Sequence, residues 1–297
     1  MIQLSRETRY ALVPQQRVAT PKPVNSWAGW PSSNLLVPHL VLQLVVRGQP
    51  HPVTGYLCNI KIIDDLLREV VMRRLIPVYD GHQTAEQILR IAFREVLAGW
   101  PDAVRLSDAH AADPPPVIQS LTLHMTPQLR YTIHHSKIGR SGESMNNPTT
   151  DPHAPDVEPQ RHVVELTEQF EFSAAHRLHC GDLGEEENQR LFGKCNNPEG
   201  HGHNYVVEVT VSASVDSDRG QVLPLHDFES IVDRVVIDRL DHKHLNRDVE
   251  HFASVNPSVE NIAKAIYQWL DGQFGSAKLE QVKVFETPKT WAVFAGG

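Results

Sequence analysis

Two histidines two residues apart, His201 and His203, begin the alternating run Tyr205–Val211. Residues i and i+2 of a β-strand point to the same face, so a strand that begins at or just before the pair would project both imidazoles together. His176 ends a second strand-like run and is a plausible third ligand. Three neutral imidazoles leave an open coordination position on a zinc ion, as catalytic zinc sites do. The pattern therefore predicts a Zn²⁺ site, although any single histidine among the chain's 17 is more often a surface or core residue.

One thiol lies close to this predicted centre. Cys195 precedes His201 with five residues between them. A cation or another positive group nearby lowers the pKa of a cysteine, so this thiol is a candidate proton-transfer group.

Two further polar groups have both a chemical and a structural interpretation. Asp241 directly precedes His242 at the end of a predicted helix, where the pair could relay protons or simply form a solvated helix end. Glu286 follows the strand Val282–Phe285 and could accept two parallel hydrogen bonds from a heterocycle, or be a surface residue. Glu260 and the cap residue Ser258 begin a second helix; a favourable dipole interaction explains Glu260, and a site role stays open.

Composition limits the class of protein. With a net charge of −8 and a pI near 6.1, the 297-residue chain lacks the basic character of a nucleic-acid-binding protein. No apolar run reaches the length of a membrane span, and the N-terminus lacks a signal-peptide pattern. Three cysteines, an odd number in a long chain, favour a reducing compartment. We therefore expect a cytoplasmic protein with no membrane or nucleic-acid partner.

The pattern of apolar residues predicts two domains of the α+β class. Residues 136–160, rich in Pro, Ser and Asn, are predicted to be a flexible linker between a domain at 1–135 and a domain at 161–297. In the second domain, strands are predicted at 163–173, 203–214, about 221–225, 280–286 and 290–295, with two helices on one face of an antiparallel sheet.

The first domain repeats this order. Leu40–Val46 aligns with Tyr205–Val211 at an offset of 165 residues, and the helix 62–75 aligns with 227–240. The first copy lacks every candidate ligand. Pro14 and Trp30 replace His176 and Cys195, and Leu36 and Pro38 replace His201 and His203. Ile76 and Pro77 replace Asp241 and His242, and Met125 replaces Glu286. We interpret it as a degenerate structural copy of the second domain.

Four separated motifs of the second half resemble the 6-pyruvoyltetrahydropterin synthase and 6-carboxytetrahydropterin synthase family. They are Phe-Ser-Ala-Ala-His176-Arg-Leu, the segment 191–205 with Cys195, His201 and His203, Leu-Asp241-His242-Lys-His-Leu-Asn246, and Val-Phe-Glu286-Thr. The resemblance covers about residues 162–296.

This resemblance implies tandem tunnelling-fold (T-fold) domains that assemble into a barrel as a homo-oligomer joined through sheet edges. It also implies zinc on His176, His201 and His203, Cys195 as the proton-transferring thiol, and Asp241 and His242 as a relay that commonly crosses a subunit boundary. Glu286 would anchor the pterin ring, with Ser258 and Glu260 as further substrate-binding candidates and Lys194, Arg177 and His179 as phosphate contacts. The substrate would be 7,8-dihydroneopterin triphosphate.

The resemblance leaves two possible products, a pyruvoyl and a carboxy tetrahydropterin. Five residues between Cys195 and His201 resemble the pyruvoyl-forming branch, whereas the carboxy-forming branch on the route to queuosine usually has three. A non-catalytic pterin-binding scaffold would fit the first half alone. An unrelated zinc hydrolase is disfavoured because no helix-borne His-Glu-x-x-His motif is present.

Overall fold

The computed structural model describes residues 1–11, 39–75, 81–107, 114–138, 162–215 and 220–296. Contacts divide the chain into two compact units. The first comprises Met1–Glu165 with Ser214–Val222, and the second comprises Leu166–Ala213 with Leu223–Gly297. In the described residues, no helix is both long and apolar enough to cross a membrane.

The first unit has an antiparallel sheet in the order β1-β2-β3-β4. Its strands are β1 (Ile2–Ala11), β2 (His39–Gly48), β3 (Val117–His124) and β4 (Leu129–Ile138). Between β2 and β3 lie α1 (Ile60–Val70), a π-helical segment (Val71–Leu75) and α2 (Ala85–Ser107). Alternate residues of β2, from Leu40 to Val46, are buried, as expected for a strand with one face on a core.

The second unit contains most of four longer strands and several short helices. Its strands are β5 (His162–His176), β6 (His201–Val215), β8 (Lys278–Thr287) and β9 (Thr290–Phe294), hydrogen-bonded in that order, with β7 (Lys243–His244) parallel to β5. The helices are α3 (Glu185–Phe192), a 3₁₀ turn (Gly193–Asn196), α4 (Leu225–Val232), a π-helical segment (Asp233–Ile237), α5 (Asp238–Leu240), α6 (Leu245–Asp248), a 3₁₀ turn (Glu250–Ala253) and α7 (Val259–Leu270).

Apolar stripes hold this unit's helices in place. Along α4 and the segments that continue it, one apolar stripe is buried: Phe228, Val232, Val235, Val236 and Leu240. Helix α7 buries Ile262, Ala263 and Ile266. Ser258 caps α7, its hydroxyl accepting a hydrogen bond from the Asn261 amide at 3.4 Å. The α+β class with antiparallel strands is confirmed.

Several details differ from the sequence-based expectations. The predicted strand at 221–225 is wrong, since Pro224 lacks an amide hydrogen and Leu225 already begins α4. β4 continues to Ile138, three residues into the predicted linker, and 139–160 lie outside the described residues.

Among the described residues, helices separate the first two long strands of each unit from its last two, although α3 also lies between β5 and β6 and the short strand β7 lies among the helices of the second unit. Most first-half residues that align with the candidate ligands of the second half lie outside the described residues; they are Pro14, Trp30, Leu36, Pro38, Ile76 and Pro77. Met125 lies in the turn after β3. The assignment of 1–135 as a degenerate T-fold domain and of 161–297 as the catalytic one stays a prediction.

Candidate active site

Three histidines meet where β5 ends and its neighbour β6 begins. His176 is the last residue of β5, whereas His201 and His203 occupy the first and third positions of β6. The predicted i, i+2 arrangement on a strand is therefore present. Gly200, at φ +77°, leads the chain into β6, and a Cβ there would lie 2.9 Å from the His176 carbonyl oxygen. Glycine thus permits the close approach of the two strand ends.

The side chains of these histidines form a compact group, here called the histidine triad. One ring nitrogen from each lies within 4.8 Å of the others. The Nε2 atoms of His176 and His201 are 3.1 Å apart, and the ring centroids of His201 and His203 are 4.9 Å apart. Nitrogens bound about 2.0–2.1 Å from one tetrahedral zinc ion would be separated by about 3.3 Å, so this spacing fits a shared metal.

A main-chain hydrogen bond fixes the tautomer of the central histidine. His176 is completely buried, and its Nδ1 lies 2.8 Å from the carbonyl oxygen of Pro257. A carbonyl oxygen only accepts, so Nδ1 carries the hydrogen and the Nε2 lone pair faces the other two rings. Burial is the main reason that the pKa of His176 falls to about 4, and the nearby imidazoles contribute. The ring is therefore neutral at physiological pH, as a metal ligand must be.

The other two rings also suit a cation. Burial, and then the neighbouring His203, lowers the pKa of His201. His203 Nε2 is buried and has no hydrogen-bond partner among the described residues. A buried nitrogen without a partner costs free energy that a bound cation would recover. The donor set thus fits a zinc ion.

A carboxylate borders the triad. Glu286 Oε1, on β8, lies 3.5 Å from His176 Nε2 and 3.7 Å from His203 Nε2. Glu286, predicted from the sequence, therefore lies beside the histidine triad.

Cys195 lies in the 3₁₀ turn Gly193–Asn196, half-buried and unpaired. Its carbonyl oxygen accepts a hydrogen bond from the Leu178 amide at 2.8 Å, which ties the turn to the chain just beyond His176. Burial, and then the charge of Glu286, raises the pKa of Cys195. The expected lowering of the Cys195 pKa is thus not found in the protein alone, because burial disfavours the thiolate and its charged neighbour is a carboxylate, not a cation.

Asp241 and His242 form the predicted pair. Asp241 Oδ2 lies 2.6 Å from His242 Nδ1, and Oδ1 accepts a hydrogen bond from the Ser173 amide at 2.8 Å. These hydrogen bonds lower the pKa of Asp241. His242 has a φ of +57°, and its side chain is 84% exposed. Left-handed backbone at a residue other than glycine is often found at functional positions.

Comparison with known proteins identifies the family. The model of the 6-pyruvoyl tetrahydropterin synthase family matches residues 165–297. A 6-pyruvoyl tetrahydrobiopterin synthase of Drosophila melanogaster is 43% identical over 140 residues, which are 46% of this chain and 82% of that protein. The chain belongs to the 6-pyruvoyl tetrahydropterin synthase family. The expectation of a lyase is thereby confirmed.

A solved structure and a further relative are also similar to this chain. The solved structure of 6-pyruvoyl tetrahydropterin synthase from Caenorhabditis elegans is 38% identical, covers 46% of this chain and 96% of that chain, and has a TM-score of 0.43. A 6-carboxy-5,6,7,8-tetrahydropterin synthase of Rickettsia bellii is 26% identical over 144 residues, covering 42% of this chain and 96% of that protein.

Ser258 and Glu260, the remaining site candidates, both lie at the start of α7. Ser258 caps α7, and Glu260 is exposed in the first turn of that helix. None of the contacts described for these two residues reaches the histidine triad. Their part in substrate binding stays a prediction.

Sequence reasoning missed two neighbours of the triad. Tyr205 is completely buried against the rings of Phe172, His176 and His203, and its hydroxyl has no hydrogen-bond partner in the described part of the chain. Its position two residues after His203 on β6 was the available signal. The Pro257 carbonyl left no signal, because its contact depends on how α7 packs.

A cavity of about 540 Å³ adjoins the site. His203 and His242 both line it, together with His244 and Asp248. A predicted metal ligand and a predicted relay residue therefore face the same space.

Proposed function

We propose that the chain is a zinc-dependent tetrahydropterin synthase that acts on 7,8-dihydroneopterin triphosphate, eliminates triphosphate and yields 6-pyruvoyltetrahydropterin. The observation that supports this proposal is the histidine triad in a chain that belongs to this family. Glu286 borders the triad, and a main-chain hydrogen bond from Leu178 holds the turn that contains Cys195 close to His176. Each of these groups was predicted from the sequence, and together they form a metal-binding and proton-transfer constellation.

In the proposed mechanism, His176, His201 and His203 hold the zinc ion. When bound, zinc acts as a Lewis acid toward the side-chain oxygens of the substrate and acidifies the adjacent C–H bond. The Pro257 carbonyl keeps the Nε2 lone pair of His176 available for the metal. Cys195, which has no positive neighbour in the protein alone, would gain one from a metal held by the three histidines.

Glu286 and Cys195 have distinct tasks. Glu286 accepts two parallel hydrogen bonds from the N–H groups of the pterin ring and so orients the side chain toward the triad. Cys195 takes and returns a proton at the substrate carbon, since a thiol beside a cation has a pKa suited to this work.

Asp241 and His242 complete the proton relay. Asp241 accepts the Nδ1 hydrogen of His242 and leaves Nε2 free to exchange a proton. The exposure of His242 supports a relay that works across a subunit boundary in a homo-oligomer. We further propose assembly through sheet edges into a barrel of T-fold domains, with residues 1–135 as a structural partner, and a cytoplasmic location.

A 6-carboxytetrahydropterin synthase, which releases acetaldehyde, is the second candidate. The likeness to the Rickettsia bellii protein favours it. The five-residue spacing between Cys195 and His201 and the higher identity to the Drosophila melanogaster protein favour the pyruvoyl product.

Product analysis tests the proposal. Zinc-loaded protein is incubated with 7,8-dihydroneopterin triphosphate, and the products are separated by mass. We expect a pyruvoyl product with release of triphosphate. A carboxy product with acetaldehyde would select the second candidate and leave the roles of the site residues unchanged. Absence of turnover would refute the proposed activity.

A further inference from the structure

We propose that Arg177 and His179 are positioning residues that fix the Cys195 thiol beside the histidine triad, each through a hydrogen bond to Asn196. The family resemblance implies a different task for the same two side chains, contact with phosphate. The inference rests on the proposed function, because it concerns the placement of the proposed proton-transferring thiol.

Three consecutive residues donate hydrogen bonds to the turn that contains the thiol. Arg177 Nε donates to the main-chain carbonyl oxygen of Asn196 at 3.1 Å. The Leu178 amide donates to the carbonyl oxygen of Cys195 at 2.8 Å. His179 Nδ1 lies 3.0 Å from Asn196 Oδ1, and because an amide oxygen only accepts, Nδ1 carries the hydrogen. One short segment therefore holds the main chain at the thiol and both oxygens of the next residue.

Burial makes these hydrogen bonds consequential. Asn196 is only 3% exposed, so water has little access to its oxygens. A buried acceptor that loses its donor costs more free energy than the hydrogen bond itself contributed. The turn would shift to find a new partner for Asn196, and Cys195, the preceding residue, would move with it.

Asparagine side chains hold this donor segment in turn, after the chain leaves β5 at His176. Asn246 accepts from the Arg177 amide at 2.8 Å and donates to the Arg177 carbonyl oxygen at 3.0 Å. Asn188, which is completely buried, binds the Cys180 amide and carbonyl oxygen at 2.8 and 2.9 Å. Each side chain thus pairs with both main-chain groups of one residue, as a neighbouring strand would. The donor segment is held at both ends.

The arrangement couples the position of the thiol to that of a metal ligand. Arg177 directly follows His176, so the donors to the turn continue the strand that carries this ligand. Glu286 lies 3.5 Å from His176 Nε2, and its charge also contributes to the raised pKa of Cys195, which places the thiol and the triad in one site. Proton transfer is sensitive to such placement, since a displacement of about 1 Å can cost about 10²-fold in rate.

Two substitutions of Arg177 separate positioning from phosphate contact. Glutamine has its side-chain N–H donors as many bonds from Cα as arginine has Nε, but it carries no charge. Arg177→Gln therefore keeps a donor for the Asn196 carbonyl oxygen and removes the attraction for phosphate. Lysine keeps the charge and has a carbon atom at the place of Nε, so Arg177→Lys does the reverse.

The measurements use the zinc-loaded full-length protein. They are kcat and KM for 7,8-dihydroneopterin triphosphate, zinc content, and the rate at which iodoacetamide alkylates Cys195, followed by mass spectrometry of the peptide that contains it. We expect Arg177→Lys to lower kcat about tenfold with KM and zinc content little changed. Alkylation of the half-buried thiol should become about threefold faster or more, because the turn is less restrained. Arg177→Gln should restore most of the wild-type behaviour.

His179 offers an independent pair of substitutions, should an Arg177 variant fail to fold by circular dichroism. Asparagine can place its side-chain nitrogen where histidine has Nδ1, whereas glutamine places it one bond farther from Cα. His179→Asn should therefore retain most of the kcat and the slow alkylation of Cys195, and His179→Gln should lose both. Arg190→Lys is the control, because Arg190 is 81% exposed on α3 and should leave every quantity unchanged.

Two outcomes would overturn the assignment. The first is a rate of Cys195 alkylation that is the same in the wild type, Arg177→Lys and His179→Gln. The second is a raised KM and weaker binding of inorganic triphosphate in Arg177→Gln with an unchanged kcat in Arg177→Lys, which would make Arg177 a phosphate contact. Alkylation requires no turnover. Failure of the proposed activity would therefore appear in the product assay, while the alkylation rates still test the positioning role.

Discussion

Glu286 Oε1 lies 3.5 Å from Nε2 of His176, the nitrogen left unprotonated by the hydrogen bond between Nδ1 and the Pro257 carbonyl. A carboxylate in this position has two chemical options: it can anchor a heterocycle through parallel hydrogen bonds, or it can approach a bound metal. We assign the first option, binding of the heterocycle, to Glu286, and measuring the zinc content of variants separates it from binding of the metal.

We expect Glu286→Gln to retain zinc and to raise the KM for the pterin substrate at least tenfold, since an amide cannot accept both hydrogen bonds from the ring. His201→Ala removes a zinc ligand, so the affinity of the protein for zinc should fall by a factor of about 10–100 or more. Elemental analysis should give one zinc per wild-type chain. Loss of metal in Glu286→Gln would instead make this carboxylate a ligand.

Cys195→Ser should lower kcat about 10²- to 10⁴-fold, because the hydroxyl is a far weaker acid than the thiol. Zinc content and thermal stability should remain close to those of the wild type. Cys180→Ser is the matched control, as the described hydrogen bonds of Cys180 use only its main-chain atoms. Equal turnover by Cys195→Ser and the wild type would remove Cys195 from the mechanism.

Asp241→Asn tests the relay without removing its hydrogen bond to Ser173, because the amide oxygen can still accept from that main-chain N–H. The change removes the negative charge that holds and polarises His242. We expect kcat to fall about 10- to 100-fold with little change in KM. Asp238→Asn, exposed on α5, serves as the control and should leave kcat unchanged. Steady-state kinetics at fixed pH would measure both variants.

Tyr205→Phe should leave the free energy of unfolding unchanged or raise it by up to about 1 kcal/mol, because the buried hydroxyl lacks a partner in the described chain. Tyr267→Phe is the matched control: the Tyr267 hydroxyl donates to the Leu279 carbonyl oxygen at 3.4 Å, and its loss should cost about 0.5–1.5 kcal/mol. Urea denaturation of both variants provides the measurement. A clear loss of stability in Tyr205→Phe would show that its hydroxyl is bonded.

Glu168, on β5, should make stability depend on pH. Burial, and then the charge of Glu229, raises the pKa of Glu168 to about 7, above about 4.3 in the unfolded chain. The folded state therefore favours the protonated carboxyl. Its contribution to stability is fully present below pH 4.3 and is lost as the pH rises through 7.

Glu168→Gln should accordingly stabilise the protein by on the order of 1–2 kcal/mol at pH 8 and by little at pH 4.5. Glu171→Gln, exposed on the same strand, should show no such difference. Thermal melts between pH 4.5 and pH 8 would measure the stability of both variants. If stability depended on pH in the same way in both, the raised pKa of Glu168 would not be the cause.

Much of the histidine triad follows from local patterns. The i, i+2 spacing of His201 and His203 places both rings on one side of β6, and alternation of apolar residues predicted the strand itself. The capping role of Ser258 was likewise readable, since a serine before an apolar periodic run is a typical helix start.

Other features depend on contacts between distant segments. The Pro257–His176 hydrogen bond joins residues 81 positions apart, and its acceptor is a main-chain atom that any residue would carry. The raised pKa of Cys195 depends on where β8 delivers Glu286. The missed helix α3 begins with three consecutive glutamates and has little apolar periodicity, so its pattern resembled a polar loop.

The hydrogen bond that orients His176 is accepted by a main-chain oxygen, and this determines which substitutions the site tolerates. An acceptor on a side chain is lost when a single codon change replaces that residue. A carbonyl acceptor survives substitution as long as the backbone path before α7 is kept. Selection on this contact therefore acts on the conformation of the Pro257–Ser258 junction, and random mutagenesis should recover few disabling changes there other than those that redirect the backbone.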